Sequence, residues 1–327
     1  MIFYCQLTIL VVQSLLPLLK TNSLTSLIPP SIGNLRNLTT LYLFENELFG
    51  SIPQEIGLLR FLNDLRLSTN NLTSPIPPSI GNLRNLTTLY LHTNELSSSI
   101  PQEIGLLTLL NDLQLKTNSL IGPIPPSIGN LRNLTTLYLF DNELSGSIPQ
   151  EIGLLRFLND LRLSTNNLTS PIPPSIGNLR NLTTLYLSDN ELSGSISQEI
   201  GLLTSLNDLD LATNSLTSPI PLSIRNLRNL TSLYLHTNKL SGSVPQEIGL
   251  LRSLNDLQLS TNNLIGPISP SIGNLRNLTT LYLHTNELSG FIPQEIGLLT
   301  LLNDLQLTTN DSCPIGVSAD SCPAGAP

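Results

Sequence analysis

The stretch LRNLTTLYLFDNELSGSIPQEIGL, Leu131 to Leu154, is followed at Leu155 by LRFLNDLRLSTNNLTSPIPPSIGN, which restarts the same frame. The step from Leu131 to Leu155 is 24 residues, and the two versions alternate along most of the 327-residue chain. Full units begin at Leu35, Leu59, Leu83, Leu107, Leu131, Leu155, Leu179, Leu203, Leu227, Leu251 and Leu275. A partial unit precedes them and a half unit follows from Leu299. A fixed internal period decides the architecture before any other feature does.

Within Leu131–Leu154, Leu137 and Leu139 alternate with Thr136, Tyr138 and Phe140. That period of two predicts a strand with leucines on one face and Thr, Tyr and Phe on the other. Leu131, Leu134, Leu144, Ile148, Ile152 and Leu154 are expected at inward corners. Burying these aliphatics recovers less than ordering the whole unit costs, so one coil does not fold alone and neighbours must stack. The asparagine after the strand turn recurs at Asn46, Asn70, Asn94, Asn118, Asn142, Asn166, Asn190, Asn214, Asn238, Asn262, Asn286 and Asn310. A buried amide there is expected to bond the backbone groups of the turn. Ile148-Pro149 predicts an extended flank, and the PxxIG segment after it a short 3₁₀ turn.

The spacing LxxLxxLxLxxNxLxxxIPxxIGxL resembles the plant extracellular type of leucine-rich repeat, over residues 19 to 310. The resemblance implies a right-handed superhelix of the α/β-type repeat class, mostly parallel β, with 3₁₀ turns on its convex side. The expected organisation is an apolar N-terminal segment (1–18), a solenoid of 24-residue repeats (19–310) and an irregular tail (311–327). The repeats look most like the ectodomains of plant leucine-rich-repeat receptor-like Ser/Thr kinases. In that family a concave surface binds peptides or co-receptor ectodomains, and a membrane helix and a kinase follow. No Gly-rich loop with a downstream HRD pattern occurs in this sequence. The resemblance therefore implies recognition without catalysis, at the cell surface or outside the cell, in signalling or defence. Two alternatives stand beside it. One is a secreted inhibitor of a cell-wall-degrading enzyme, resembling polygalacturonase-inhibiting proteins, although their paired cysteine caps are missing. The other is a truncated product of a receptor-like kinase gene.

Residues 1 to 19 carry no charged side chain, and LTILVVQSLLPLL is strongly apolar. They read as a signal-like segment, or as a degenerate repeat with Pro17 on an edge strand. The expected contact with a membrane runs through this segment or through a region beyond the C-terminus. Three cysteines are too few for a disulfide framework. Cys5 alone does not form the family's N-terminal cap. Cys313 and Cys322 either close a small loop or sit in a disordered tail. Net charge is −8 with no basic stripe, which argues against nucleic acid as a partner. His236 and His284 lie two coils apart, roughly 9.6 Å at the strand spacing, too far to share a metal. No metal or cofactor is expected, and no catalytic set is evident.

The strand face is the candidate site. Its expected binding residues are Tyr42, Phe44, Arg66, Tyr90, His92, Tyr138, Phe140, Arg162, Tyr186, Asp208, Asp210, Tyr234, His236, Tyr282 and His284. Tyrosine offers a rigid contact surface with one polar tip. Asp and Arg or Gln run between the tyrosines, which suits a peptide or protein edge. Asp208 and Asp210 add an acidic spot for a basic group. The competing reading is that Tyr suits a half-exposed strand and was copied with each duplication. Residues 35–82 and 131–178 differ only at Glu45/Asp141 and Phe49/Ser145, so copying is recent. Asn-x-Ser/Thr acceptors occur at Asn37, Asn85, Asn133, Asn181, Asn229 and Asn277, and also at Asn71, Asn167 and Asn310. In a secreted chain they would carry glycans beside an open strand face.

Overall fold

The computed structural model describes residues 22–308. Every repeat forms one coil, and every coil places a three-residue strand in a single parallel sheet of twelve. Coils 1 to 6 contribute Thr40–Tyr42, Asp64–Arg66, Thr88–Tyr90, Asp112–Gln114, Thr136–Tyr138 and Asp160–Arg162. Coils 7 to 12 contribute Thr184–Tyr186, Asp208–Asp210, Ser232–Tyr234, Asp256–Gln258, Thr280–Tyr282 and Asp304–Gln306. The register is uniform: Leu137 pairs with Leu113 on one side and Leu161 on the other. The predicted alternation holds, with Leu137 fully buried between half-buried Thr136 and Tyr138.

The chain leaves each strand through a left-handed residue, such as Asp141 (φ 59°), Thr165 (φ 53°) or Thr261 (φ 56°). Threonine is β-branched and disfavours that region, so most coils carry local strain here. The following asparagine holds the turn. Asn166 Nδ2 donates to the carbonyls of Leu139, Leu163 and Ser164, each at 3.1 Å. Its Oδ1 accepts from Leu144 N at 2.9 Å. One amide thus ties its own turn to the previous coil. The same set recurs from Asn70 to Asn286, so the asparagines form the structural ladder expected of them. Asn310 lies outside the described residues, as do residues 1–21, with Cys5 and Pro17, and the tail with Cys313 and Cys322.

Beyond the ladder, short flank strands form a six-stranded sheet from Phe49–Gly50 to Asn167–Leu168 and a five-stranded one from Ser193–Ser195 to Glu287–Leu288. Backbone bonds still cross the gap between them, from Glu191 N to Leu168 O (2.9 Å) and Ser193 N to Ser170 O (3.1 Å). The flank turns left-handed at glycines such as Gly146 (φ 75°). Ser74, Ser98, Ser170 and Ser218 replace that glycine at φ 65–73° without breaking the coil. The Ile-Pro step then feeds a 3₁₀ turn, as at Gln150–Leu154 after Pro149. Among the described residues all helical turns are 3₁₀, so the class is parallel β with 3₁₀ turns rather than strand and α-helix. No helix among them is long and apolar enough to cross a membrane.

Leu131, Leu134, Leu137, Leu139, Leu144, Ile148 and Ile152 are buried in one core that runs from Ile28 to Leu299. Leu154 corrects the inward pattern: it is 41% exposed. It ends the 3₁₀ turn two residues after buried Ile152, and at three residues per turn it points away. Leu58, Leu106, Leu202 and Leu250 are exposed in the same way.

The glycine late in each unit sets the spacing of the turns. A Cβ on Gly153 would lie 2.5 Å from Ser175 O in the next coil. Arg225 occupies this column, and the turns Leu222–Asn226 and Gln246–Leu250 pack less closely than other neighbouring turns. Nearby, Ser223 Oγ is buried without a hydrogen bond, whereas its counterpart Ser175 Oγ donates to Gln150 O at 2.8 Å. The coil survives the exchange but its back loosens.

Candidate recognition face

Odd coils end their strands in tyrosine, and even coils carry Asp at the first strand position and Arg, Gln or Asp at the third. Parallel register sets each third-position residue between two tyrosines: Tyr42, Arg66 and Tyr90 align, as do Tyr138, Arg162 and Tyr186. The Arg66 guanidinium lies 5.1 and 4.8 Å from its two ring centroids, and that of Arg162 lies 5.0 and 4.9 Å from its own. Each arginine is clamped between two aromatic faces, a favourable position for a cation.

The same arginines fold back onto the aspartate two residues earlier. Arg66 Nε donates to Asp64 Oδ1 at 3.0 Å, and Arg162 Nε to Asp160 Oδ1 at 2.9 Å. Tyr42 Oη and Tyr138 Oη donate to those aspartates at 2.7 Å from the preceding coil. Gln114 and Gln258 replace arginine and donate to Asp112 and Asp256, both at 3.2 Å. Tyr90, Tyr234 and Tyr282 complete the pattern by donating to Asp112, Asp256 and Asp304. The face is therefore a chain of closed circuits in which tyrosine and a basic or amide side chain share one carboxylate. The polar tips expected to await a partner are largely engaged within the protein.

Burial, the Asp160 bond and its negative charge push the Tyr138 hydroxyl up to about 12. Burial and Asp256 do the same for Tyr234, also to about 12. Tyr90 is raised further, by burial and Asp112. His92 is held below its usual range by burial and by Lys116. Lys116 itself lies 5.7 and 5.3 Å from the Tyr138 and Phe140 ring centroids.

A second aromatic column follows the strands. Phe44 stands 6.2 Å from Tyr42, His92 5.9 Å from Tyr90, Phe140 6.0 Å from Tyr138 and His284 6.1 Å from Tyr282, between ring centroids. His236 occupies the same column beside Tyr234. Four small residues of the column, Ser68, Ser188, Ala212 and Ser260, are buried rather than solvent-facing, because they are too short to clear the adjoining strands, and Ser164 is half-buried. Coil 8 departs from the circuit. Asp210 takes the third position between Tyr186 and Tyr234, and Asp208 the first.

The glycan acceptors frame this face. Asn37, Asn85, Asn133, Asn181, Asn229 and Asn277 are exposed on the edge that enters the strands. Asn85 Nδ2 and Asn181 Nδ2 donate to Arg60 O and Arg156 O at 2.9 Å, which fixes their direction. Asn71 and Asn167 are exposed at the start of flank strands on the other edge.

Comparison with known proteins agrees with this geometry. A family model described as "Leucine-rich repeat region" matches residues 126–241, and one described as "Leucine Rich Repeat" matches 37–59, 61–83, 85–107 and 277–299. A leucine-rich-repeat protein of Leptospira interrogans is 34% identical, with 86% of this chain and 75% of that one covered and a TM-score of 0.66. This chain is a leucine-rich-repeat protein. Among its structural relatives, the plant peptide hormone receptor RGFR1, solved in complex with RGF2, is 39% identical with a TM-score of 0.81. The match covers 89% of this leucine-rich-repeat chain and 50% of the receptor. A TDR receptor is 32% identical with a TM-score of 0.85, over 88% of this chain and 50% of that one. The leucine-rich-repeat solenoid thus spans about half the length of the receptor structures it matches. No curated protein sequence matches it.

Proposed function

We propose that this solenoid is a receptor-like recognition ectodomain. It acts outside plant cells in signalling or defence, and its strand face binds a peptide or protein without catalysis. The observation that carries this reading is the unbroken row of half-exposed tyrosines, from Tyr42 to Tyr282, interleaved with charged groups on one sheet face. The glycan acceptors lie on the edges and leave that face clear. The likeness to receptors supports the same reading, since one of them is a plant peptide hormone receptor solved in complex with RGF2.

Gln114→Asn with Lys116→Thr creates a glycan acceptor in the middle of the strand face. Labelled peptides from plant extracellular fluid are passed over the intact chain expressed in plant cells. The reading expects retained peptides to be lost from the new glycoform, while a variant lacking only Asn133 keeps them. Retention unchanged by the strand-face glycan overturns the reading. Intact mass before and after deglycosylation tests the location: loss of several glycans supports passage through the secretory pathway, and an unmodified chain removes it.

A further inference from the structure

Two coils of this chain show what the strand face does with a guanidinium. Arg66 and Arg162 each lie between two tyrosine rings at 4.8–5.1 Å, with the aspartate two residues earlier as counter-ion. Coil 8 repeats the frame in the same register, with Tyr186 and Tyr234 on either side and Asp208 at the counter-ion position. Its third strand residue is Asp210, which has no proton donor to offer Asp208 and no cation to offer the rings.

The consequences are visible in the neighbouring side chains. Tyr186 Oη makes no bond to Asp208, whereas Tyr42, Tyr90, Tyr138, Tyr234 and Tyr282 each donate to the aspartate of the next coil. Asp208 accepts from Thr231 Oγ1 instead, at 3.1 Å. Asp210 turns along its own strand, where Oδ1 accepts from Ala212 N at 3.0 Å. Coil 8 therefore keeps the two aromatic walls and gains a second carboxylate, but lacks the cation. Burial raises the Asp210 carboxyl above its ordinary range, against the opposing pull of the Ala212 and Ser188 bonds and of nearby His236.

We infer that the Tyr186–Tyr234 clamp, with Asp208 and Asp210, is a binding site for the guanidinium of an arginine side chain in a peptide ligand. Arginine is favoured over lysine because the slot is the one that Arg66 and Arg162 fill elsewhere. Its walls suit a planar cation, and its carboxylates suit forked donors. The site rests on the recognition reading above and names the residue type that coil 8 would select.

The test uses the full chain with isotope-labelled tyrosines and two blocked peptides, Gly-Arg-Gly and the same peptide with citrulline, which keeps the shape and removes the charge. The expected result is saturable shifts at Tyr186 and Tyr234 with the arginine peptide, and at least tenfold weaker binding of the citrulline peptide. Asp210→Arg should fill the slot from within and weaken arginine binding at least tenfold. It should fold, because Arg66 and Arg162 occupy the same register. Arg162→Asp should open a second clamp and add Tyr138 to the shifted resonances. Equal binding of the two peptides, or unchanged binding by Asp210→Arg, overturns the assignment. A peptide displaced by the strand-face glycan but retained by Asp210→Arg would remove this site and leave the recognition reading standing. Arginine binding at the clamp, with no peptide lost to that glycan, would do the reverse.

Discussion

Arg162 and Asp210 occupy the same place two coils apart, each between two tyrosines and each two residues after an aspartate. Beneath them the chain is nearly invariant: Leu161 and Leu209 are both buried, and Asn166 and Asn214 make the same four bonds. Above them the surfaces differ. Coils 1 to 6 put Arg66, Gln114 and Arg162 in this row, with Lys116 reaching the Tyr138 ring from the next column, while coils 7 to 12 put Asp210, Gln258 and Gln306 in it. Copying explains the interior and the common circuit. It does not explain the exchange of a clamped cation for a second carboxylate, which leaves two carboxylates side by side.

The largest effect should fall on the shared interior and be the same in both halves. Leu137→Asp and Leu209→Asp each bury an unpaired charge and should cost about 4 kcal/mol or more, unfolding the coils around them. Thermal melts followed by circular dichroism check this, and a native melt for either variant would break the register assigned to both. Asn166→Ala and Asn238→Ala should each cost about 2–3 kcal/mol, because backbone groups of two coils lose their partner. Unequal losses in urea unfolding would show that the two halves differ in frame as well as in surface.

The next effect should differ in sign between the halves. Asp210→Gln supplies Asp208 with the donor that Gln114 and Gln258 provide elsewhere, and should stabilise by about 1 kcal/mol at neutral pH. Arg162→Gln removes the clamped cation and should destabilise slightly. The folded-state pKa of Asp210 is raised, so its ionised form opposes folding. The gain from Asp210→Gln should therefore shrink as the pH falls and Asp210 takes up its proton. Urea midpoints at neutral and acid pH read this directly.

The smallest effect is alkaline. Tyr138 and Tyr234 are pushed up to about 12, so their neutral forms favour the fold below the ordinary tyrosine value of about 10. That contribution is lost as the pH rises through about 12, and stability should fall over this interval. Tyr186 lacks the aspartate bond and should ionise before Tyr138. Ultraviolet titration of Tyr186→Phe beside Tyr138→Phe separates them, and simultaneous ionisation would erase the distinction between a closed and an open clamp.

Most of the frame was legible in the sequence because it is periodic. The leucine alternation, the asparagine ladder, the Ile-Pro flank and the 3₁₀ turn all follow from one unit. Leu154 departs from the inward pattern because leucine identity alone does not tell which side of a 3₁₀ turn a residue takes. The strain at Thr165 and its counterparts left no trace, since threonine is not the residue that a left-handed position favours. The strand face was visible as columns of residues, but not as circuits. Tyr138 finds Asp160 across 22 residues, and Arg162 finds Tyr138 and Tyr186 only through exact stacking. The signal was nonetheless present. A 24-residue register places each third-position residue between two tyrosines, and Asp210 then stands out as the one carboxylate in a row of Arg and Gln.

The alternation of tyrosine coils with polar coils also makes the face a ruler. Neighbouring strands lie about 4.8 Å apart, so tyrosines return about every 9.6 Å along the stack. A peptide in the polyproline II form advances about 3.1 Å per residue with three residues per turn, so every third side chain returns to the same side after nearly the same distance. A ligand laid along the solenoid would present every third side chain to the same kind of slot. The identity of the residue in each slot, Arg66, Gln114, Arg162, Asp210, Gln258 or Gln306, would then spell out which side chain is accepted at each step.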